Sequence, residues 1–292
     1  MDFVRLDRAD NVVTATRALE VGVVIEDVQT TALIPSGHKI ATAAIAKGDP
    51  VRKYAQLIGY AATDIKAGDL VHTQNVEFRN TDMAYEFSTD LRYVVPAKTQ
   101  DSFMGFRREN GRVGTRNYIA IVTSVNCAAT AARMIADHFT PDILSQFPNV
   151  DGVAAFVHGT GCGMADNGDG FEALQRVMWG YAKHPNHAGV LMVGLGCEMN
   201  QIDWLLEAYG LKHSPTFQTM NIQKVAGLRR TIEMGIAKIT AMLPIADKAI
   251  RTECPASELM VALQCGGSDA WSGVTANPAL GYACDLLTAQ GA

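Results

Sequence analysis

Four apolar runs that each end in a cysteine decide the fold of this chain: YIAIVTSVNC at residues 118–127, VAAFVHGTGC at 153–162, VLMVGLGC at 190–197 and LMVALQC at 259–265. The first three cysteines lie about 35 residues apart, and the fourth follows at nearly twice that interval. A strand, a crossover helix and the next strand fit this spacing, which predicts a parallel sheet with one further unit in the longer gap. Ligands bind at the carboxyl ends of the strands in such sheets, so the pattern also predicts where a site lies.

The segments between these runs carry apolar residues at helical spacing. They predict helices over residues 128–139, 171–184, 199–209 and 225–242, the last ended by Pro244, and the start of another helix over 282–289. A further strand is predicted near residues 216–222, which makes five strands in all. Residues 105–292 are therefore predicted to form a Rossmann-like, mostly parallel α/β domain that is incomplete at its carboxyl end.

The first 80 residues have a different pattern. Short β-like runs at residues 21–25, 40–45 and 70–72 alternate with glycine-containing turn signals such as KGD at 47–49 and KAGD at 66–69. This pattern predicts a small all-β module over residues 1–80. Residues 81–104 show no sustained period and are predicted to be a linker.

Composition and charge exclude some classes of function. The chain has 292 residues, 48% of them hydrophobic and 19% charged, with a formal net charge of −5 and scattered basic residues. These values favour a globular protein of two domains. The sequence contains no cluster of basic residues of the kind that binds nucleic acid or an anionic membrane. No apolar run is long enough for a membrane-spanning helix, so we expect a cytoplasmic protein. Six cysteines are too sparse for a disulfide scaffold, so we expect reduced thiols that are available for metal binding or catalysis.

Thiol, imidazole and carboxylate groups follow the predicted strands. The loop after the second run holds His158 and Cys162, the loop after the third holds Cys197 and Glu198, and Cys265 precedes Asp269 after the fourth. Together these groups are a reasonable ligand set for iron or zinc. The alternative is that the cysteines are small residues packed where strands meet helices. The glycine loops match neither common nucleotide-binding spacing, so phosphate cofactors are a weak hypothesis.

Arginines and two histidines give further candidates. Arg107, Arg108, Arg112 and Arg116 fall within ten residues, among glycines, just before the first run. Such a segment could clamp a carboxylate with paired hydrogen bonds, or it could be a solvated basic turn. In the small β module, His38 and His72 each lie at a turn or strand end, where a histidine is either catalytic or structural.

These motifs resemble the altronate and galactarate dehydratase family of sugar-acid hydro-lyases. In the small module, which resembles a SAF-type β-clip domain, the resemblance rests on GHKIA at 37–41, IGYA at 58–61 and VHTQN at 71–75. It continues through GRVGTRNY at 111–118, HGTGC at 158–162, GLGCE at 194–198 and QCGGSD at 264–269. The segment SGVTANPALG at 272–281 is the most specific part. Two positions depart from the family pattern, Ala55 and the pair Ala270-Trp271, and relatives continue well beyond the end of this chain.

The resemblance implies elimination of water from a sugar acid such as D-altronate or galactarate, which gives a 2-keto-3-deoxy acid. It implies Fe²⁺, with Mn²⁺ or an iron–sulfur cluster as alternatives. The implied metal ligands are His158, Cys162, Cys197, Glu198 and Cys265. The implied substrate-binding residues are Arg112, Arg116, Asn117 and Ser268, and the implied acids or bases are His38, His72 and Asp269.

Two other functions stay open at this stage. A sulfo-lyase acting on sulfolactate resembles the same two modules and would release sulfite. A truncated, inactive relative would bind a sugar acid or a partner without turnover. The expected partner is a small-molecule sugar acid, with neither nucleic acid nor membrane, and an open sheet edge would favour assembly into a homo-oligomer.

Overall fold

The structure, a computed structural model, describes residues 2–80, 86–89, 91–264 and 271–292. It divides into two compact units. The first comprises Met1–Val95 and Val261–Ala289, and the second comprises Pro96–Met260 and Gln290–Ala292.

The first unit begins with a module of short strands. They are β1 Phe3–Val4, β2 Val12–Ala15, β3 Val24–Ile25, β4 Val28–Gln29, β5 Lys39–Ala41, β6 Pro50–Lys53, β7 Gln56–Ala61, β8 Leu70–Val71 and β9 Val76–Glu77. They pair in antiparallel fashion into sheets of order β1-β2-β5-β8 and β6-β7-β9, with β3-β4 as a separate hairpin. Leu19, Ile34 and Ile40 are fully buried inside this module. The predicted all-β region at the amino terminus is confirmed.

The second unit contains the remaining strands and the first six helices. The strands are β10 Ser102–Arg107, β11 Val113–Gly114, β12 Tyr118–Thr123, β13 Gly152–Phe156, β14 His187–Gly194, β15 Phe217–Asn221 and β16 Thr252–Pro255. The helices are α1 Ala129–His138, α2 Pro141–Leu144, α3 Asp169–Ala182, α4 Ile202–Tyr209, α5 Ile222–Val225 and α6 Leu228–Ala246. One further helix, α7 Ala276–Ala289, belongs to the first unit.

A four-stranded parallel sheet of order β13-β12-β14-β15 organises the second unit. Side chains alternate across each strand, and here both faces are covered. Ile119 and Ile121 of β12 pack in a core with α1 and α6, whereas Ala120 and Val122 pack with α3 and α4. Burial on both faces explains why β12 and most of β14 are continuously apolar, whereas the edge strand β15 carries polar residues. The parallel sheet is confirmed, and the narrower Rossmann-like assignment stays a prediction.

Two predictions about strands were wrong. The run before Cys265 was predicted to be the fifth parallel strand, but residues 259–264 form no strand, and Met260 is 87% exposed. An apolar run joins a sheet only where its backbone forms hydrogen bonds to a neighbouring strand. Within the described residues, no strand pairs with residues 259–264. The predicted linker also ends early, because β10 pairs in antiparallel fashion with β11 and β16 from Ser102 onward.

Helix α6 also runs beyond its predicted end. Proline is expected to terminate a helix, yet Pro244 lies inside α6, which continues to Ala246. Leu243 and Ala246 are buried against the parallel sheet in the same core as Ile119. Tertiary packing of the last turn thus outweighs the local preference of the sequence.

Candidate functional site

Three loops at the carboxyl edge of the parallel sheet bring the first three cysteines together. The loops follow β12, β13 and β14 and carry Cys127, Cys162 and Cys197, all of them exposed. The pKa of Cys162 is raised above its ordinary value of 9.0. The largest cause is the negative charge that the Cys127 thiol carries when ionised, and desolvation and the charges of Cys197 and Glu198 add to it. The predicted gathering of cysteines therefore occurs for these three. Cys265 lies outside the described residues, as do Ser268 and Asp269.

Backbone hydrogen bonds tie the three loops to one another. The Asn126 N–H donates to the Thr160 carbonyl oxygen at 2.8 Å, and the Asn200 N–H donates to that of Gly161 at 3.3 Å. Gly161 has φ +99°, and a methyl group there would overlap the Ser124 carbonyl oxygen. Only glycine permits this backbone approach. The three thiols therefore lie on loops that are held together by hydrogen bonds between their backbones.

Glu198 is a buried brace of the third loop. Its carboxylate accepts hydrogen bonds from the Ser124 hydroxyl at 2.6 Å, the Leu195 N–H at 3.2 Å and the Gly196 N–H at 2.5 Å. The residue is only 2% exposed. Glu198 was predicted to bind a metal, but here both carboxylate oxygens are committed to the loop that presents Cys197.

His158 is committed in a similar way. Its Nε2 lies 2.9 Å from the Thr123 carbonyl oxygen, and its Nδ1 accepts a hydrogen bond from the Thr160 N–H at 3.3 Å. A carbonyl oxygen can only accept, so Nε2 carries the proton and both ring nitrogens are occupied. The ring holds the second loop against the end of β12, and metal binding would require one of these bonds to break.

The site also contains polar residues that the sequence reasoning missed. Asn200 is fully buried and donates from Nδ2 to the Ser124 carbonyl oxygen at 2.9 Å, and Gln223 donates to the Cys197 sulfur at 3.2 Å. The Oδ1 atoms of Asn200 and Asn221 are buried without a hydrogen-bond partner in the described part of the chain. A signal was available, since Ser124 directly follows β12 and Asn221 ends β15 at the same edge.

Gly194 provides the space into which these groups converge. A methyl group at this position would overlap Glu198 Oε1 and lie 2.6 Å from Asn221 Oδ1 and 2.8 Å from Ser124 Oγ. A side chain here would therefore displace the buried network. The glycine that ends β14 is required by packing.

The described residues do not complete the predicted metal site. Within residues 2–80, 86–89, 91–264 and 271–292, no group of three or more His, Cys, Asp or Glu side chains is placed to hold a metal ion. The polar side-chain atoms of two predicted ligands, His158 and Glu198, form hydrogen bonds within the protein. The exposed thiols of Cys162 and Cys197 keep suitable chemistry for a metal.

The arginine segment lies at the other edge of the sheet. Arg112 and Arg116 precede β12, and the Arg112 guanidinium donates to the Lys183 carbonyl oxygen at 3.3 Å, just before the start of β14. A strand of six residues spans about 17 Å, so these arginines lie roughly a strand length from the cysteines. Their assignment as substrate-binding residues stays a prediction, and it does not rest on closeness to the three cysteines.

Asn117, which was predicted to bind substrate, is hydrogen-bonded inside the protein. It is fully buried, its Nδ2 donates to the carbonyl oxygens of Asn149 at 2.7 Å and Ala246 at 3.0 Å, and its Oδ1 accepts from Arg108 at 2.9 Å. Burial in turn lowers the pKa of Arg108. These hydrogen bonds give Asn117 a structural role, and its contact with substrate stays a prediction.

In the first unit, His38 and His72 come together. Their rings are stacked with centroids 5.2 Å apart. His38 lies before β5 and His72 follows β8, and these strands are neighbours in one sheet. The His38 Nδ1 donates to the Ser36 carbonyl oxygen at 3.2 Å, and the His72 Nδ1 lies 3.0 Å from the Thr73 hydroxyl. In neutral His38, Nε2 is therefore the acceptor nitrogen.

Comparisons with known protein families match three segments of the chain. Residues 1–79 match the altronate/galactarate dehydratase SAF domain. Residues 105–247 match the second domain of D-galactarate dehydratase/altronate hydrolase, and residues 256–292 match the C-terminal domain of D-galactarate/altronate dehydratase. The helices of the described residues include none that is long and apolar enough to cross a membrane.

Individual relatives carry the same names. Altronate dehydratase of Bacillus subtilis is 33% identical over 99% of this chain, and that of Escherichia coli is 35% identical over 100%. Galactarate dehydratase (L-threo-forming) of Escherichia coli is 33% identical over 89% of the chain. The chain spans 58%, 59% and 51% of the length of these relatives, respectively.

Proposed function

Because the chain belongs to the altronate/galactarate dehydratase family, we propose that it contributes to a hydro-lyase that removes water from a sugar acid. The substrate is altronate or galactarate, and the product is a 2-keto-3-deoxy acid. The observation that carries the proposal is the match of all three segments to one family, together with relatives named for these two acids.

Such a reaction needs a base and an acid. The base removes the proton next to the substrate carboxylate, and the acid protonates the departing hydroxyl. The stacked pair His38 and His72 offers both roles on one surface. The His38 hydrogen bond to Ser36 leaves Nε2 as an acceptor, which favours His38 as the base and His72 as the acid.

The proposal includes a divalent metal, most simply Fe²⁺, with Mn²⁺ or an iron–sulfur cluster as alternatives. Such a metal would stabilise the charge that develops on the substrate carboxylate. The support for it is the chemistry of the exposed thiols of Cys127, Cys162 and Cys197 at one edge. The described residues lack a complete ligand set, so no step is assigned to the metal.

The test is an anaerobic assay of the purified chain. We would measure bound iron and the formation of 2-keto-3-deoxy acid from galactarate and D-altronate, with and without ferrous ion. The variants His38→Gln and His72→Gln should each lower kcat by about 100-fold or more, whereas His138→Gln, an exposed histidine at the end of α1, should not. Full activity in both histidine variants would remove them from the mechanism.

Two further measurements, of sulfite release from sulfolactate and of sugar-acid binding, separate the alternatives. Release of sulfite from sulfolactate, without turnover of either sugar acid, would assign the sulfo-lyase function. Binding of a sugar acid without any turnover would identify an inactive relative.

A further inference from the structure

A cavity in the second unit lies away from the cysteine edge. It has a volume of about 790 Å³ and sits where α3 and α4 end, beside the loop between β10 and β11. Its lining includes Arg112, Lys183, His184, Trp179, Tyr181 and Tyr209. Helices α3 and α4 follow the carboxyl edge in the chain and run back along the sheet, so their last residues lie at the amino edge.

The charged side chains of this cavity are those of Arg112 and Lys183. Desolvation, followed by the charge of Arg112, lowers the pKa of His184 below its ordinary value of 6.5, so His184 is neutral near pH 7. The lining within the described residues contains no carboxylate. The Arg112 side chain forms one hydrogen bond there, to the Lys183 carbonyl oxygen at 3.3 Å, and it has no ion-pair partner in the described part of the chain. A guanidinium with most of its donors still open is suited to a carboxylate or phosphate.

The other wall is aromatic. Trp179 and Tyr209 are stacked with centroids 5.5 Å apart and an interplanar angle of 26°, and Trp179 remains 39% exposed. Exposed aromatic faces beside basic groups commonly bind ring-shaped ligands, because a ring can stack while its acid group is paired. The cavity volume is also in the range of small-molecule sites, about 300–1,000 Å³.

We infer that this cavity is a binding site for a small ring-bearing anion. Its ring stacks on the wall of Trp179 and Tyr209, and its carboxylate or phosphate pairs with Arg112 and Lys183. The site is separate from the cysteine edge and from the chemistry proposed above. It gives a different role to Arg112, whose segment suggested a carboxylate clamp from the sequence alone.

The experiment is titration of the full chain with four probes by isothermal calorimetry and tryptophan fluorescence. Glucuronate combines a sugar ring with a carboxylate, glucose 6-phosphate combines a sugar ring with a phosphate, and adenosine 5′-monophosphate adds an aromatic ring. Inorganic phosphate tests the anion without a ring. We expect at least one ring-bearing probe to bind more tightly than inorganic phosphate, and the strongest probe identifies the acid group and the ring type.

Variants locate the binding. Arg112→Gln should weaken the best probe by about tenfold or more, and Trp179→Leu should do the same. Arg133→Gln, an exposed arginine on α1, should leave binding unchanged. If Trp179→Leu fails to fold, Tyr209→Leu, a change in the other ring of the stacked wall, replaces it. Absence of binding by every ring-bearing probe at millimolar concentration, equal binding by inorganic phosphate, or unchanged binding in Arg112→Gln would each overturn the inference.

Discussion

Removal of the Glu198 carboxylate should destabilise the second unit more than a typical surface substitution. Three donors depend on this carboxylate: the buried Ser124 hydroxyl and the half-buried backbone N–H groups of Leu195 and Gly196. Leaving a buried donor unsatisfied costs about 1–3 kcal/mol. Glu198→Ala should therefore lower the free energy of unfolding by about 1–3 kcal/mol if water reaches the two backbone groups, and by about 3–6 kcal/mol if it does not. Glu198→Gln keeps one acceptor oxygen and should cost about 2–3 kcal/mol.

The assay is urea denaturation followed by tryptophan fluorescence, to which Trp179 and Trp204 of the second unit and Trp271 of the first contribute. Hydrogen exchange of the loop amides reports on the second unit itself. The control is Glu207→Ala, an exposed residue of the neighbouring helix α4, which should change stability by no more than about 0.5 kcal/mol. Faster exchange at Leu195 and Gly196 should accompany the loss of stability. If Glu198→Ala unfolds like Glu207→Ala and the two amides exchange as before, the carboxylate does not brace this loop.

Three further predictions follow from buried groups. Burial lowers the pKa of His187 below its ordinary value of 6.5, so the unfolded chain binds protons that the folded chain does not. The contribution of His187 to the free energy of unfolding should therefore be fully present above about pH 6.5 and be lost as the pH drops below that value. The unfolding temperature should fall between pH 7 and pH 5, and it should fall less in His187→Asn than in the unchanged chain. Asn117→Ala should lower the unfolding free energy by about 3 kcal/mol or more in urea, because three hydrogen bonds are lost from a buried side chain, and an equal cost for the exposed Asn167→Ala would contradict this. Gly235→Ala should destabilise the chain by about 1–3 kcal/mol in the same assay, because its methyl group would overlap Ile135 between α1 and α6, whereas Gly170→Ala in α3 meets open space and should not.

Much of the fold could be read from the sequence, because the signals were strong and local. The helices over 129–138, 169–182 and 202–209 begin and end within three residues of their predicted bounds. Three of the four apolar runs that end in cysteine correctly predicted parallel strands, and the further strand predicted near residues 216–222 is the fourth, β15. The run before Cys265 had the same composition but no described strand beside it, so composition alone predicted one strand too many.

The candidate site was only partly predictable. The sequence indicated which loops meet, because the carboxyl ends of parallel strands share one edge. It could not indicate which polar side chains in those loops point outward and which are used internally. His158 and Glu198 looked like ligands beside their cysteines, yet their hydrogen bonds are satisfied within the protein.

Local patterns in the sequence were enough to predict the all-β amino-terminal module, the four strands of the parallel sheet and the gathering of Cys127, Cys162 and Cys197. Each of these follows from local periodicity, turn residues and the direction of strands. Only the tertiary structure decided that His38 stacks on His72, that Asn117 is buried, and that Arg112 lies at the amino edge beside Trp179. Those facts depend on which distant residues become neighbours, and hydrogen bonding and burial are properties of that neighbourhood and not of the residue type.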